Sequence, residues 1–531
     1  MELSGQKEIV LLDGDRLTIE EIVAVGTGEK KVALDPGSLE RCIAARAFLL
    51  RRVHDGDIIY GVNSSFGSMC NKIIPDDSIE LLQENLIRSH AAGLGEPLPH
   101  AVALAAVVVR LNSLLKGYSG VSIELLEFMR DIINHRIAPF IPTRGSVGAS
   151  GDLIHLAHLA LMLIGEGQVY CHGELMRAEE AFRRVNLKPF KLGMKEGISL
   201  INGTSVMTAI AAFAVHYAKQ AFAVECVAAA FSIEIFNSIT DFLDEKLHQV
   251  KPHLGQIKVA RILRDLIAGS RNIVNRSELH RSIRDEADES SSVFETRFSI
   301  QDAYSIRCAP QVLSPVIESI EAAERIVTLE ANSTNDNPVI IPDEQRVLHG
   351  GNFHGQSIGY YMDCLAIALA TLSNISERRL NMLLDNKLNG ELPEYLIAGT
   401  RGLDMGFMGA QYLATSTTAE NRQLANPVST NSISCNASNQ DVVSMGTIAA
   451  RKVFTQVNNL KYILTLEILA DLQAMSFKDP AKLGVETSRY YQELSRYFTV
   501  YESKRVFHDL LVQFLELLFE KDLLDVKDLL K

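Results

Sequence analysis

Four long stretches of this sequence are apolar on almost every side of a predicted helix. They cover residues 203–242, 312–332, 354–384 and 444–474, and each repeats apolar residues at helical spacing with few charges between them. A helix of about 20 to 40 residues that lacks a continuous polar face must be buried among other helices. The pattern therefore predicts a mainly α protein, built as a large, elongated bundle of long helices.

A smaller mixed part is expected in front of this bundle. Residues 8–12 and 31–34 are short and β-prone, a helix is expected over 36–53, and from residue 78 the chain becomes mostly helical. No low-complexity linker separates the parts, so we expect residues 1–531 to form a single catalytic unit. Its N-terminal part, central bundle and helical tail are expected at about 1–200, 201–475 and 476–531.

The charge and the cysteines of the chain limit its partners. The formal net charge is −13, and no basic cluster is interleaved with aromatic residues, so we expect no nucleic-acid partner. The most apolar stretch, 206–236, contains Lys219, Glu225 and Glu234, so no uncharged segment within it reaches the ~18 residues that a membrane span requires, and we expect a buried helix there. Seven scattered cysteines without paired spacing indicate reduced thiols, and we expect a cytoplasmic protein.

One glycine-dense loop carries unusual chemistry. Residues 144–161 read RGSVGASGDLIHLAHLAL, and a helix is expected from about Asp152. Glycines on both sides of Ala149 and Ser150 let the backbone fold back, so that the Gly151 nitrogen can attack the Ala149 carbonyl. Loss of two waters then closes a five-membered ring and converts Ser150 into an exocyclic methylidene, an electron sink of the kind that enzymes usually take from a cofactor. The plainer alternative is a glycine turn with Asp152 as its N-cap.

Two further segments offer groups that such an electrophile needs. Tyr60, in YGVNSSFG, can remove a substrate proton if nearby positive charge or donors lower its pKa; the alternative is a packed aromatic side chain. Arg307, in AYSIRCAPQ, stands in an uncharged context, where its forked guanidinium can anchor a substrate carboxylate or form an internal ion pair. Tyr304 shares a face with Arg307 if that segment is helical.

Asparagines and histidines complete the residues that the sequence singles out. Asn202 in INGTS and Asn337 in NSTNDNP can donate and accept hydrogen bonds at once, so they can position a carboxylate or a ring carbonyl, although both also suit turns. His155 and His158 lie three residues apart without a nearby third ligand, so we expect no metal site.

Nine motifs occur in order between about residues 59 and 452. They read YGVNSSFG, NLIRSHAAGLGE, GSVGASGDL, KEGISLINGTS, AYSIRCAPQ, NSTNDNP, HGGNFHGQ, GAQYLATSTTAEN and NQDVVSMGTIAAR. In these motifs the chain resembles the histidine and aromatic amino acid ammonia-lyase and aminomutase family, whose members carry a 4-methylideneimidazole-5-one (MIO) prosthetic group. One departure is Ser65, where many relatives have glycine in YGVNTGFG.

The resemblance implies roles for the catalytic candidates. Ala149, Ser150 and Gly151 are the precursor of the MIO group, which forms autocatalytically, without a metal or a diffusible cofactor. Tyr60 is the catalytic base, and Arg307 anchors the substrate carboxylate.

The remaining roles implied by the resemblance concern binding and assembly. Asn202 and Tyr304 support both the substrate and the MIO group, Asn337 supports the MIO group, and Phe353 of HGGNFHGQ contacts the substrate. The resemblance also implies a homotetramer whose active sites take residues from more than one subunit.

Two places bear on the substrate. Ser89 and His90 lie in NLIRSHAAG, where histidine-specific and some tyrosine-specific members have histidine and phenylalanine-specific ones tend to be apolar; His90 can hydrogen-bond a phenol hydroxyl. Histidine lyases resemble NQEDHVSMG where this chain reads NQDVVSMG, with a glutamate in place of Gln440. Gln440 is expected to contact the substrate, and an imidazole substrate would lose its charged partner there. The expected activity is therefore that of a tyrosine ammonia-lyase, which forms trans-4-coumarate and ammonia.

Three alternatives remain open from the sequence. A tyrosine 2,3-aminomutase, which returns the amine to the β-carbon and forms β-tyrosine, shares every motif named above. A histidine ammonia-lyase fits less well because of Gln440. A non-catalytic helical assembly protein would use the same loops only to turn corners.

Overall fold

Helices dominate the computed structural model, which describes residues 8–286, 293–296, 299–526 and 528–530. The described helices, in chain order, are α1 (Ile19–Thr27), α2 (Pro36–His54), α3 (Ile79–His90), α4 (His100–Leu115), α5 (Ile123–Asn134), α6 (Leu153–Leu163), α7 (Ala178–Arg184), α8 (Glu196–Ile201), α9 (Ser205–Ile235), α10 (Glu245–Gln249), α11 (Leu254–Leu266), α12 (Arg276–Glu286), α13 (Tyr304–Arg307), α14 (Ala309–Ala331), α15 (Gln356–Leu384), α16 (Met408–Leu424), α17 (Gly446–Met475), α18 (Val485–Ser495) and α19 (Phe507–Phe519).

The four long helices expected from the sequence are all present, as α9, α14, α15 and α17. The prediction of a mainly α protein is therefore confirmed. Helix α9 ends earlier than expected, at Ile235. Asn237 adopts a left-handed backbone with φ of 48°, a conformation that commonly ends a helix.

β-Structure is confined, within the described residues, to short strands in small sheets. The strands β1 (Ile9–Leu12) and β2 (Lys31–Leu34) form a parallel pair in which Ile9 lies opposite Lys31, which confirms the two β-prone pieces. The remaining strands pair antiparallel, as β3 (Leu94–Pro97) with β5 (Pro142–Arg144), β4 (Ile137–Pro139) with β6 (Gln168–Cys171), β6 with β7 (Glu174–Arg177), and β8 (Val339–Ile341) with β9 (Arg346–Leu348).

The chain divides into two compact units, each assembled from three stretches of sequence. The first unit comprises Met1–His216, Ala322–Cys364 and Pro427–Phe454, and the second comprises Tyr217–Glu321, Leu365–Asn426 and Thr455–Lys531. The boundaries near residues 200 and 475, and the single catalytic unit, stay predictions.

The core of the first unit holds the segment that carries Tyr60. Ile59 and Val62, on either side of this tyrosine, are buried in a cluster with Phe48 and Leu49 of α2. Because apolar side chains on both sides are removed from water, the backbone at Tyr60 is fixed although the loop itself is irregular.

One described helix, α15, is long and apolar enough to cross a membrane by length and composition alone. Within the structure, 67% of its most apolar window is buried. The helix also carries the buried, charged side chains of Glu377 and Arg379. This combination is typical of a core helix in a globular protein.

The second unit contains a buried group of charged residues, which we term the Arg379 cluster: Glu225, Arg379, Glu467 and Asp471. Arg379 Nη2 lies 2.7 Å from Glu225 Oε1, and its Nε lies 2.6 Å from Glu467 Oε1. All four side chains are buried. Burial raises the pKa of Glu225 to about 8, and it also raises the pKa of Asp471 well above its usual value.

Protein stability is expected to fall as the pH rises through the titration range of Glu225. The folded chain keeps this group protonated up to a pKa of about 8, whereas the unfolded chain ionises it near 4.5, so stability is lost between these two values. Thermal unfolding midpoints across this pH range measure the effect. A Glu225→Gln variant removes the titration and keeps the shape, so its midpoint should change less with pH. Equal pH dependence in the two proteins would contradict the expectation.

Candidate active site

Two adjoining cavities lie in the first unit. The first cavity has a volume of about 620 Å³ and the second a volume of about 460 Å³. Ala149, Ser150, His90 and Gln440 line both of them. The serine that the sequence singles out therefore stands where the two cavities meet, accessible from either one.

The loop around Ser150 has a backbone that requires glycine. Gly151 has φ of 66°, and a Cβ atom at this position would overlap the carbonyl oxygen of Gly203. Gly148 has φ of 72°, and a Cβ atom there would overlap Ser444 Oγ. Both glycines are thus needed for the folded-back conformation. The tripeptide from Ala149 to Gly151 fits the ring-forming chemistry inferred from the sequence.

Asp152 connects this loop to two remote parts of the first unit. Helix α6 begins at Leu153, as predicted, but the Asp152 side chain does not cap it. Its carboxylate instead accepts a hydrogen bond from the Met207 N–H at 2.8 Å, at the start of α9, and one from the Thr447 hydroxyl. Burial raises the pKa of Asp152 to about 6, and these donors oppose the rise. Asp152 thus occupies the N-cap position of α6 without capping the helix through its side chain.

The other end of the loop is held by residues just before α17. The Met445 N–H donates to the Val147 carbonyl oxygen at 2.9 Å, and the Ser444 hydroxyl donates to the Gly148 carbonyl oxygen at 2.8 Å. The Ala149 side chain packs against Val443 and Met445 in a small buried cluster. Since the flanking residues are fixed in this way, Ser150 is presented to the cavities in a defined position.

Gln440 contacts the serine directly. Its Nε2–H donates to Ser150 Oγ at 2.9 Å, and its Oε1 lies 3.2 Å from the Cys435 thiol. The sequence predicted Gln440 as a substrate contact, but not its contact with Ser150. Cys435 was not predicted at all, since a lone cysteine gives no local signal.

Tyr60 lines the second cavity beside Ser150. The Tyr60 hydroxyl oxygen accepts a hydrogen bond from the Gly67 N–H at 2.9 Å. The backbone N–H of Tyr60 donates to His349 Nε2 at 3.3 Å. Burial raises the pKa of Tyr60, and the Gly67 N–H opposes that rise. The phenol therefore lies beside Ser150, but the surroundings of Tyr60 raise its pKa, whereas a base would need a lower one.

His90 is oriented by the last turn of α3. Its Nδ1 lies 2.9 Å from the Leu86 carbonyl oxygen and 3.1 Å from Ser89 Oγ. A carbonyl oxygen can only accept, so Nδ1 carries a proton, and Nε2 is the ring nitrogen left to bond a phenol hydroxyl. Ser89 lines the first cavity, and its hydroxyl donates to the same Leu86 carbonyl oxygen. Of the two residues, His90 is the one with a free polar atom.

Asn202, Asn337 and Phe353 all line the second cavity. Asn202 Nδ2–H donates to the Asn337 carbonyl oxygen at 3.3 Å, and the Asn337 side-chain oxygen accepts from the Gly350 N–H at 2.8 Å. The structure thus brings together these three predicted residues, which are distant in sequence, on one wall.

A buried ion pair supports this wall and was not predicted. Lys195 Nζ lies 2.7 Å from Asp336 Oδ2, and both side chains are fully buried. Although burial alone raises the pKa of Asp336, Lys195 and Arg110 together lower it below its usual value. Asp336 also accepts a hydrogen bond from the Asn337 N–H at 2.7 Å, so the pair fixes the backbone beside a cavity residue.

Tyr304 and Arg307 belong to the second unit. They form the short helix α13, and the Arg307 guanidinium lies 4.5 Å from the centre of the Tyr304 ring, so the two share a face as expected. Arg307 Nε–H also donates to the Asp302 carbonyl oxygen at 2.8 Å. Tyr304 is 70% exposed. Among the described residues that line the two cavities there is neither arginine nor lysine.

The part of the chain that the structure describes contains no group of three or more histidine, cysteine, aspartate or glutamate side chains placed to hold a metal ion. His158, one of the two spaced histidines, accepts a hydrogen bond from the Gly93 N–H at 3.1 Å through Nε2. This is a structural contact.

The chain resembles known proteins in both sequence and structure. The family model described as aromatic amino acid lyase matches residues 17–496. The chain is 40% identical to histidine ammonia-lyase of Caldanaerobacter subterraneus subsp. tengcongensis, over 91% of each chain. It is 41% identical to tyrosine 2,3-aminomutase of Myxococcus sp. strain Mx-B0, over 93% of this chain and 94% of that one. The crystal structure of tyrosine aminomutase from Streptomyces globisporus superposes with a TM-score of 0.93 at 34% identity, over 97% of this chain and 98% of that one.

Proposed function

Because the chain belongs to the aromatic amino acid lyase family, we propose that it is an ammonia-lyase that converts L-tyrosine into trans-4-coumarate and ammonia. The observation that carries this proposal is the position of Ser150, at the junction of two cavities, with His90 on the shared wall. The position of Ser150 makes a reactive group accessible to a substrate amine, and His90 offers a hydrogen bond to a substrate phenol.

The prosthetic group is proposed to be MIO, formed from Ala149, Ser150 and Gly151. When present, this group supplies an electron-poor carbon to which the substrate amine adds, and the amine then becomes a better leaving group. The loop glycines and the buried Asp152 support this assignment, because they hold the backbone of the tripeptide in a bent conformation.

Tyr60 is proposed to remove the β-proton of the substrate. Its hydroxyl already has one donor, the Gly67 N–H, but burial raises the pKa of the phenol. An ammonium or guanidinium group brought near Tyr60 by substrate binding or by another subunit would favour the phenolate. Asn202 and Asn337, on the same cavity, are proposed to hold the substrate and the ring carbonyl, and Phe353 to contact the substrate.

Arg307 is proposed to bind the substrate carboxylate, with Tyr304 beside it. A carboxylate requires a cation, and the described residues lining the cavities include no lysine or arginine. The exposure of Tyr304 supports the view that this pair completes the site of another subunit in a homotetramer. A cytoplasmic location is proposed as well, and agrees with the free thiols of the seven cysteines, all of which lie in the described residues.

Tyrosine 2,3-aminomutase is the second candidate. It is favoured by the relative of that name from Myxococcus, which matches the chain as well as histidine ammonia-lyase does. Purified protein should therefore be incubated with L-tyrosine, L-phenylalanine and L-histidine, and the products separated by chromatography. Coumarate with equimolar ammonia supports the lyase, and accumulating β-tyrosine supports the aminomutase. Turnover of L-histidine without turnover of L-tyrosine would overturn the assignment.

A His90→Phe variant is expected to lose the preference for tyrosine. The ratio of kcat/KM for L-tyrosine to that for L-phenylalanine should fall at least about tenfold, because the phenol hydroxyl would lose its acceptor. A His90→Gln variant keeps a side-chain oxygen and should retain more of the preference. If the ratio is the same in His90→Phe and wild-type protein, His90 does not select the substrate.

A further inference from the structure

The contact between Gln440 and Ser150 involves the oxygen atom that ring formation must remove. In the structure the Gln440 Nε2–H points at Ser150 Oγ from 2.9 Å. Conversion of the serine into a methylidene breaks its Cβ–Oγ bond. A hydrogen bond to the departing oxygen is stronger when that oxygen carries charge than when it is neutral. The contact therefore favours the bond-breaking step over the resting serine.

A tight hairpin holds Gln440 in place. Its N–H and carbonyl group exchange hydrogen bonds with Cys435 at 3.3 and 3.0 Å. The intervening Asn436, Ala437 and Ser438 all have left-handed backbones, with φ of 52°, 50° and 63°. Three such residues in succession restrict the turn strongly, since non-glycine residues rarely adopt this region. The backbone of Gln440 is thus set by the hairpin.

The Cys435 thiol orients the Gln440 amide. Its Sγ–H donates to Gln440 Oε1 at 3.2 Å, which directs the oxygen of the amide to the sulfur and the nitrogen to Ser150. Without a donor at position 435, the amide can turn and offer its oxygen to Ser150 instead. The thiol therefore acts on the serine only through Gln440.

We propose that Gln440 assists the autocatalytic maturation of the Ala149–Ser150–Gly151 ring, with Cys435 as its positioning residue. The inference rests on the proposed function. In the assisted step the Ser150 Cα–H proton passes to water in the cavity, its electron pair forms the Cα=Cβ bond, and Oγ leaves as hydroxide that is protonated to water. The Gln440 N–H stabilises the charge that develops on Oγ and is not itself transferred. Once Oγ is gone, the same amide is free to contact substrate.

The proposal is tested by the intact mass of the chain, because each water lost during maturation lowers that mass. Chains made by cell-free synthesis are sampled over time, and their intact masses are compared with the encoded mass; ring closure removes one water, about 18 Da, and loss of Oγ removes the second. Gln440→Ala should accumulate the species that has lost one water, with the second loss slowed roughly tenfold to a hundredfold. Gln440→Glu, which keeps the size but offers no amide donor, should be slowed as well.

The Cys435 variants test the positioning role. Cys435→Ala should slow the second loss, and Cys435→Ser, whose hydroxyl can donate to Gln440 Oε1, should restore it. Circular dichroism establishes that each variant is folded. If wild-type chains never lose water, the proposed function fails. If wild-type chains lose two waters and folded Gln440→Ala and Gln440→Glu chains do so at the same rate, the proposed function stands and the role of Gln440 is refuted.

Discussion

A Ser150→Ala variant is expected to fold like the wild-type protein and to lose activity on L-tyrosine by at least about 10³-fold, because alanine has no oxygen to lose and the electron sink cannot form. Turnover of L-tyrosine and intact mass measure the effect. The wild-type chain should weigh about 36 Da less than its encoded mass, whereas the variant should have lost no more than the single water of ring closure. The ultraviolet absorbance of the ring should also be absent.

A Ser277→Ala variant provides the matched control for Ser150→Ala. Ser277 is an exposed serine of α12 in the second unit, so the same chemical change there should leave mass loss and turnover as in the wild type. Wild-type turnover in the Ser150→Ala protein would contradict the proposed role of Ser150. Absence of both water loss and turnover in the wild-type protein as well as in the variant would favour a helical assembly protein in which the loop serves only as a turn.

Of the single variants, Arg379→Met is expected to lower the free energy of unfolding the most. The substitution leaves the Glu467 carboxylate buried without the guanidinium whose Nε lies 2.6 Å from it, and it removes the hydrogen-bond partner that lies 2.7 Å from the Glu225 carboxyl group. Breaking a buried ion pair from one side typically costs about 3–5 kcal/mol of unfolding free energy. The shift of the urea denaturation midpoint, followed by far-ultraviolet circular dichroism, measures the loss.

The control for Arg379→Met removes the charges on both sides. A triple variant with Arg379→Met, Glu225→Gln and Glu467→Gln buries no unpaired charge, so it should recover part of the lost stability. Glu225→Gln and Glu467→Gln each have an effect on stability when made alone. If the triple variant is less stable than Arg379→Met by the sum of these two effects, the residues of the Arg379 cluster are not coupled. In that case the loss in the single variant arises from packing.

The local sequence pattern was sufficient to predict the long helices, but it was not sufficient to predict the boundaries of the compact units. Apolar residues at helical spacing predicted α9, α14, α15 and α17, because burial on all sides leaves a signal in every turn. The two units, by contrast, are each assembled from three separated stretches. Such an assembly depends on contacts between residues that are far apart in the sequence, and a short segment of sequence carries no signal for these contacts.

In the candidate site, too, residues within local motifs were predicted, whereas contacts between distant residues were missed. Tyr60, His90 and Asn202 were predicted from their motifs, and all three line the cavity beside Ser150. The Lys195–Asp336 pair was missed although each residue lies in one of the nine motifs, because its partners are 141 residues apart and nothing in either motif indicates the other. The contact between Gln440 and Ser150 joins residues 290 apart and was missed for the same reason.

The attachment of Asp152 to distant segments sets an order of events for the molecule. The Asp152 carboxylate keeps both of these contacts only when the start of α9 and the start of α17 have reached it. Under the proposed function, a chain in which either segment is undocked would keep an ordinary seryl hydroxyl at position 150. The reactive group would then be confined to folded molecules, and a partly folded chain would not alkylate nucleophiles of the cell.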